Sequence, residues 1–302
     1  MKNYGVKSEI SDIALYDFEK VCGQSTNVTY PAEFEIPIAA KLNVKNQGEL
    51  QCCVAEVIAQ VAEAQFREEM SEGYVYGVFR TDGDRYTGMY VSKTLDFWKK
   101  ISTVPKSYCD LIGEMPEIRT KLKNIPELDN LFTQYKIKGY VSLGYALKEK
   151  RENAIKDALY SKDKAYNYGL IATSSNYFNG SHCIWLTGWN DKTNAYKFKN
   201  SWGKDYGQNG FSEIPRDSIN EVYMVLFEDI KLPFTDVNEN DWFYDSVKHL
   251  YCAGLMNGTS DTTFEPNTPM TRAEVATLMW RIVKNVDERF KILNKVINEK
   301  IE

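Results

Sequence analysis

The hydrophobic period changes once along this chain, and that change is what most limits the folds open to it. From Cys53 to Met70 the apolar residues Val54, Val57, Ile58, Val61 and Ala62 recur at helical spacing, with Glu56, Gln60, Glu63 and Arg67 on the opposite side. Shorter helical patterns run from Val91 to Lys100 and from Lys148 to Leu159. After about residue 165 the runs YNYGLIATS, CIWLTGWN and AYKFKNSW are rich in aromatic and β-branched residues and read as strands, with DKTNA a turn between two of them. Helices first and strands later predict an α+β domain in which the two kinds of element are segregated.

Composition removes several function classes. With 302 residues, 43% of them apolar, the chain has room for one large domain and a small one. The net charge of -5 is spread along the chain, which argues against a nucleic-acid footprint or a basic membrane-seeking face. No run approaches the roughly 18 to 20 apolar residues of a membrane span. The opening MKNYGVKSEISDIALYDFEK has no apolar h-region, so no secretory signal is expected in it and a cytoplasmic location stays open. Residues 1–30 read as a polar lead-in with one amphipathic stretch through Ile10, Ile13, Leu15, Phe18 and Val21. Six cysteines are too sparse for a disulfide scaffold, and adjacent Cys52 and Cys53 could join only in a strained ring. Two histidines argue against a zinc site built on imidazole, and neither a metal nor a cofactor is expected.

The chemistry gathers around Cys53. A cysteine attacks a carbonyl as the thiolate, and Cys53 opens a strong helix, where the positive end of the macrodipole favours negative charge. His182 is the candidate base, and Asn200 the group that orients its ring. Antiparallel pairing across the DKTNA turn brings His182 and Asn200 near each other, though not directly opposite. Gln47 can donate from its side chain to an oxyanion, beside the backbone N–H of Cys53. Taken singly these residues have plainer uses: a cysteine at a helix start is usually filler, as Cys52 is read here, and His249, inside a helix of the second unit, is read as structural.

The ordered set Gln47, Cys53, His182 and Asn200-Ser201-Trp202-Gly203 resembles the papain-like cysteine peptidases, over roughly residues 31 to 230. The flanking VKNQG and GQNGFSEI fit that family's mature start and final strands. The resemblance implies a two-lobed peptidase domain, a helical lobe beside an antiparallel β lobe. It also implies a catalytic group of Cys53, His182, Asn200 and Gln47. Gln47 to nucleophile spans six residues in the family, which selects Cys53 over Cys52. Gly88 in YTGMYVSKTLDFW matches the glycine whose backbone pairs with an extended substrate; Met89 and Cys183 are placed by the same resemblance in a side-chain pocket, and Trp202 over the His–Asn bond. Two positions depart from the family. Leu50 stands where it has a disulfide cysteine, and Val54 where it has an aromatic residue.

From near Leu232-Pro233 the chain resembles a single S-layer homology module. The marks are FTDV, Asp241-Trp242-Phe243-Tyr244, GLMNGTSDTTFEPN and Thr271-Arg272-Ala273-Glu274. It reads as helix, Gly/Asp-rich loop, helix. By this resemblance Trp242 and Arg272 contact an anionic secondary cell-wall polysaccharide, Arg through its bidentate fork and Trp through its ring face. The expected organisation is a lead-in at 1–30, a peptidase domain at 31–231, a module at 232–284 and a charged helix at 285–302. The expected function is a cysteine endopeptidase acting on polypeptides at the surface of a Gram-positive bacterium. Two rivals are a Cys-His amidase or acyltransferase on non-peptide amides, and a non-catalytic wall-binding protein that keeps the fold.

Overall fold

The computed structural model describes residues 6–7, 28–79, 88–107, 109, 135–143, 148–160, 169–227, 232–252 and 255–284. The chain divides into two compact units, the larger made of Met1–Ser11 and Asn27–Asp229 and the smaller of Asp12–Thr26 and Ile230–Glu302. Ile13 and Phe18 of the amphipathic lead-in, and the charged stretch 285–302, lie outside the described residues.

The larger unit is built on an antiparallel sheet. Its strands are β2 (Glu33–Glu35), β4 (Gly139–Ser142), β5 (Leu170–Ser174), β6 (His182–Asn190), β7 (Ala195–Lys199), β8 (Phe211–Pro215) and β9 (Glu221–Leu226). The order is β4-β9-β5-β6-β7-β8, with β2 paired to the far end of β6. β5 and β6 are buried almost throughout, which is why they read as unbroken apolar runs and not as alternation. The DKTNA turn joins β6 to β7 as expected, with Asn194 in the left-handed region. A bulge falls between Leu186 and Gly188. Glycine is needed there, because a Cβ on Gly188 would lie 2.0 Å from the carbonyl oxygen of Phe34 in β2.

Helices supply the other half. They are α1 (Cys53–Phe66), α2 (Glu72–Val78), α3 (Val91–Lys100) and α4 (Lys148–Tyr160). The structure corrects one expectation for α1. Its Glu56, Gln60 and Glu63 side is not the solvent face of an amphipathic helix; all three are buried along with the apolar side, and only Arg67, the left-handed C-cap, is exposed. The reason is a buried lysine. Lys45 Nζ lies 2.5 Å from Glu63 Oε1 and 2.9 Å from Glu72 Oε2, and donates to the Met70 carbonyl at 3.2 Å. A buried charge is tolerated only when paired and hydrogen-bonded, and Lys45 is both. A two-residue strand β1 (Val6–Lys7) runs parallel to β3 (Met89–Tyr90), just after Gly88.

The smaller unit has a modest core of Phe234, Val237 and Val247, with Leu232, Phe243, Tyr251 and Phe264 against it. Asp236 accepts from the backbone N–H groups of Phe264 (2.9 Å) and Glu265 (2.7 Å), tying the FEPN loop back to the FTDV start. Helix α5 (Tyr244–Cys252) and helix α6 (272–284) flank that loop. The TRAE sequence is a capping box: Thr271 N–H donates to Glu274 Oε2 at 2.7 Å, and Glu274 N–H to Thr271 Oγ1 at 3.2 Å.

Candidate active site

Cys53 is the first residue of α1 and Cys52 its N-cap, so the two side chains leave the backbone in different directions. Cys52 Sγ donates to Glu56 Oε1 one turn on, at 3.5 Å. The Cys53 sulfur instead meets backbone N–H groups of Cys183, Val54 and Cys53 itself. Burial pushes its thiol up to about 12, while those three N–H groups pull the other way. Cys183 is the residue after His182, so the sulfur rests against the segment that carries the candidate base.

His182 opens β6 and is fully buried. Its Nε2 is 2.7 Å from Asn200 Oδ1. The register Trp185↔Lys199 sets Asn200 diagonally across the hairpin from His182, as the sequence had implied. Asn200 Oδ1 also accepts the Ser201 N–H at 2.8 Å, so its acceptor end is fixed toward the ring and its amide cannot flip without losing both bonds. With Nε2 tied to Asn200, Nδ1 is the candidate nitrogen for proton exchange with a nucleophile. Burial lowers the imidazole to about 4, with the Asn200 hydrogen bond acting in the opposite sense. Burial thus favours the neutral thiol and the neutral imidazole at rest, so that attack calls for the Cys53 proton to be taken up.

Gln47 is held on three sides. Its backbone N–H donates to Ser201 O at 2.8 Å, its Oε1 accepts from Ser201 Oγ at 2.8 Å, and its Nε2 donates to Leu50 O at 2.7 Å. An amide nitrogen has two hydrogens, and the second is the candidate oxyanion donor. Gly203 N–H donates to Lys45 O at 3.0 Å, so residues 45–47 lie beside 201–203. Gln47→Ala is expected to lower kcat about 100-fold with a smaller change in KM, because such a donor acts chiefly in the transition state. Steady-state kinetics on one peptide checks it; an unchanged kcat removes Gln47 from the site.

Trp202 stacks on the imidazole, ring centroids 4.5 Å apart and tilted by 26°, and Tyr206 meets Trp202 edge-to-face at 5.1 Å. Cys183 is buried on β6 beside the sulfur. Gly88 and Met89 are buried at β3, which packs against α1, and β1 pairs along that strand. Gln47, Cys53, His182, Cys183, Asn200 and Trp202 are thus linked by contacts into one site. Trp242, 92% exposed, and Arg272, exposed at the start of α6, belong to the smaller unit.

Two features escaped the sequence reading. One is the ionic cluster behind α1. Burial alone would lower Lys45, but the Glu63 and Glu72 carboxylates outweigh it and hold the ammonium above its usual value. Its two partners shift in opposite directions. Glu63 is raised by burial, which the Lys45 ammonium only partly offsets, whereas Glu72, also penalised by burial, is lowered because it has Lys45 and, at 3.1 Å, Lys106. Nothing in the spacing of Lys45, Glu63 and Glu72 announces this. The other feature is Phe178, in the turn before β6, whose ring lies 4.8 Å from that of His182.

The sequence profile described as "Papain family cysteine protease" matches residues 113–226, and the one described as "S-layer homology domain" matches residues 233–276. Among solved structures, xylellain, a cysteine protease from Xylella fastidiosa, superimposes with a TM-score of 0.56 at 15% identity, covering 75% of this chain and 97% of that one. The cysteine protease and lectin-like domains of Cwp84, a surface layer associated protein of Clostridium difficile, give 0.51 at 16% identity, covering 68% and 54%. Among curated proteins, gamete and mating-type specific protein A of Dictyostelium discoideum is 30% identical over 90 residues, 27% of this chain and 20% of that protein. An endoglucanase of Bacillus sp. is 39% identical over 49 residues, 16% of this chain and 5% of that protein. The chain thus spans a fifth or less of the curated relatives it matches. A helical half and an antiparallel sheet meeting at a Cys–His–Asn group thus accompany a match to the papain family of cysteine proteases over residues 113–226 and a match to the S-layer homology domain over residues 233–276.

Proposed function

We propose that the chain is a cysteine endopeptidase that hydrolyses peptide bonds through a thioester. Cys53 gives its proton to His182 and attacks the carbonyl carbon. The carbonyl oxygen takes up the negative charge between Gln47 Nε2 and the Cys53 N–H. The imidazolium of His182 then protonates the leaving amine, and His182 next draws a proton from water to hydrolyse the thioester. The observation that carries the reading is the 2.7 Å His182–Asn200 bond beside the amide that meets the Cys53 sulfur. Digestion of a peptide library by the intact chain, read by mass spectrometry, tests it: cleaved peptide bonds support it. Turnover of non-peptide amides alone would favour an amidase or acyltransferase, and no turnover with no labelling by a thiol-directed inactivator would favour a non-catalytic protein.

The same reading places the enzyme at the surface of a Gram-positive bacterium. The S-layer homology domain and the likeness to a surface layer associated protease support a cell-surface location. Trp242 and Arg272 are both exposed and free to meet an anionic secondary wall polysaccharide. The intact protein is expected to sediment with purified walls bearing such polymers, weakly and less so as salt rises, because one module offers no avidity and an exposed Arg–carboxylate pair is screened. Arg272→Ala should abolish sedimentation and leave peptide hydrolysis intact. Walls that never retain the intact protein at low salt would reduce the module to a structural appendage.

A further inference from the structure

His182 touches two aromatic rings, and only one of them belongs to the Asn200-Ser201-Trp202 run. Trp202 covers a face of the imidazole at 4.5 Å. Phe178 lies 4.8 Å from the imidazole at an interplanar angle of 74° and 5.5 Å from Trp202 at 84°. Three such separations form a nearly equilateral triangle, so Phe178 stands to the side of the stack, against the edge of the imidazole and not over its second face. Phe178 also meets Phe198 edge-on at 5.7 Å. Phe198 lies two residues before Asn200, on the same side of that run. The Phe178 ring is thereby bounded by His182, by Trp202 and by the strand that presents Asn200.

The turn that carries Phe178 is anchored from outside the site. Ser175 N–H donates to Asn220 Oδ1 at 2.6 Å, Tyr177 N–H to Ser174 Oγ at 3.4 Å, and Tyr177 OH to the Glu213 carbonyl at 3.0 Å. Asn179 takes a left-handed conformation (φ 58°) directly after Phe178. Tyr177 is 41% exposed while its neighbour Phe178 is 6% exposed. The turn is fixed by its polar residues on the outside and turns one ring inward. An aromatic residue this thoroughly directed at an imidazole edge does more than fill space. Its ring occupies a place beside the imidazole that water could otherwise enter, and water is the natural competitor for Asn200 Oδ1.

We infer that Phe178 is a positioning residue for His182: together with Trp202 it walls off the His182–Asn200 hydrogen bond and fixes the imidazole for proton transfer. This rests on the proposed role of His182 as the base, so the test includes a readout that does not need activity. Phe178→Ala should lower kcat about 10-fold or more with KM changed less than about threefold, since a loosened base loses its alignment and substrate binding does not depend on it. Phe178→Leu, which keeps most of the apolar volume, should recover part of the loss.

In parallel, the histidine ring signals are titrated by NMR in the intact protein. The chain has two histidines, so His249 serves as the internal reference. Burial holds His182 near 4, against an ordinary 6.5. Admitting water should move it upward in Phe178→Ala, and less in Phe178→Leu, with His249 unmoved. A shifted His182 titration in a protein that cleaves no peptide would sustain the wall around His182 while sinking the proposed peptidase function. An unchanged kcat with an unchanged His182 titration would overturn the assignment, even if thermal stability fell. If Phe178→Ala fails to fold, Phe178→Leu decides by the same two readouts.

Discussion

Cys53→Ala is expected to abolish peptide hydrolysis, while Cys52→Ala keeps most of it. The two residues are adjacent and both buried, yet the helix start separates their surroundings. Cys53 faces the backbone N–H groups of Cys183 and Val54, whereas Cys52 faces the Glu56 carboxyl. Negative charge on Cys53 would be met by peptide dipoles, whereas on Cys52 it would lie against the Glu56 carboxyl and oppose that group's own ionisation. Glu56 and Cys53 both push the Cys52 thiol upward, on top of burial, which comes first. Removing a nucleophile of this kind costs on the order of 10⁶ in kcat in a well-studied serine hydrolase. Progress curves for the two variants on one substrate decide the matter, and a reversal of their behaviour would move the nucleophile by one residue.

The second large effect is on stability. Glu56 is buried beside Cys52, and burial together with the nearby Glu72 carboxylate raises it from an ordinary 4.5 to about 8. A carboxyl raised in the folded state is neutral there while the unfolded chain has already ionised. Its contribution to stability is thus complete below about 4.5 and drains away as pH rises through about 8. At roughly 1.4 kcal/mol per pH unit, the deficit above pH 8 is of the order of several kcal/mol. Glu56→Gln cannot ionise and removes that dependence. The variant should unfold at higher denaturant than the parent at pH 8.5 and show little advantage at pH 4.5. Equal midpoints at both pH values would mean that Glu56 is not held neutral.

Much of this was legible in the residues. The strands after Gly169 announce themselves because both of their faces are buried, so β5 and β6 carry continuous apolar and aromatic runs. The candidate group Gln47, Cys53, His182 and Asn200 was legible because its order resembles that of the papain-like cysteine peptidases, and hairpin geometry joins the last two. The polar side of α1 was misread for a physical reason. A helical pattern records which residues differ in polarity, not which ones face water, and Lys45 lets glutamates sit inside. Phe178 left no trace either. It belongs to a turn with no period, and its orientation is set by Asn220, Ser174 and Glu213, none of which is near it in a hydrophobic pattern. The short β2 and β4 were likewise hidden, being three and four residues long.

The pairing of residues 45–47 with 201–203 has a consequence for how this protein comes to life on the ribosome. Gln47, the candidate oxyanion donor, is held by Ser201, and His182, the candidate base, by Asn200, so the early half of the site takes its shape from residues made much later. α1 can form as soon as it emerges, but a nascent chain that has not yet delivered β7 has a thiol without a working site around it. Contacts between such distant segments form late and slowly. On the proposed function, a nascent chain would gain activity only once residues 200–203 have emerged and the fold around them is nearly complete.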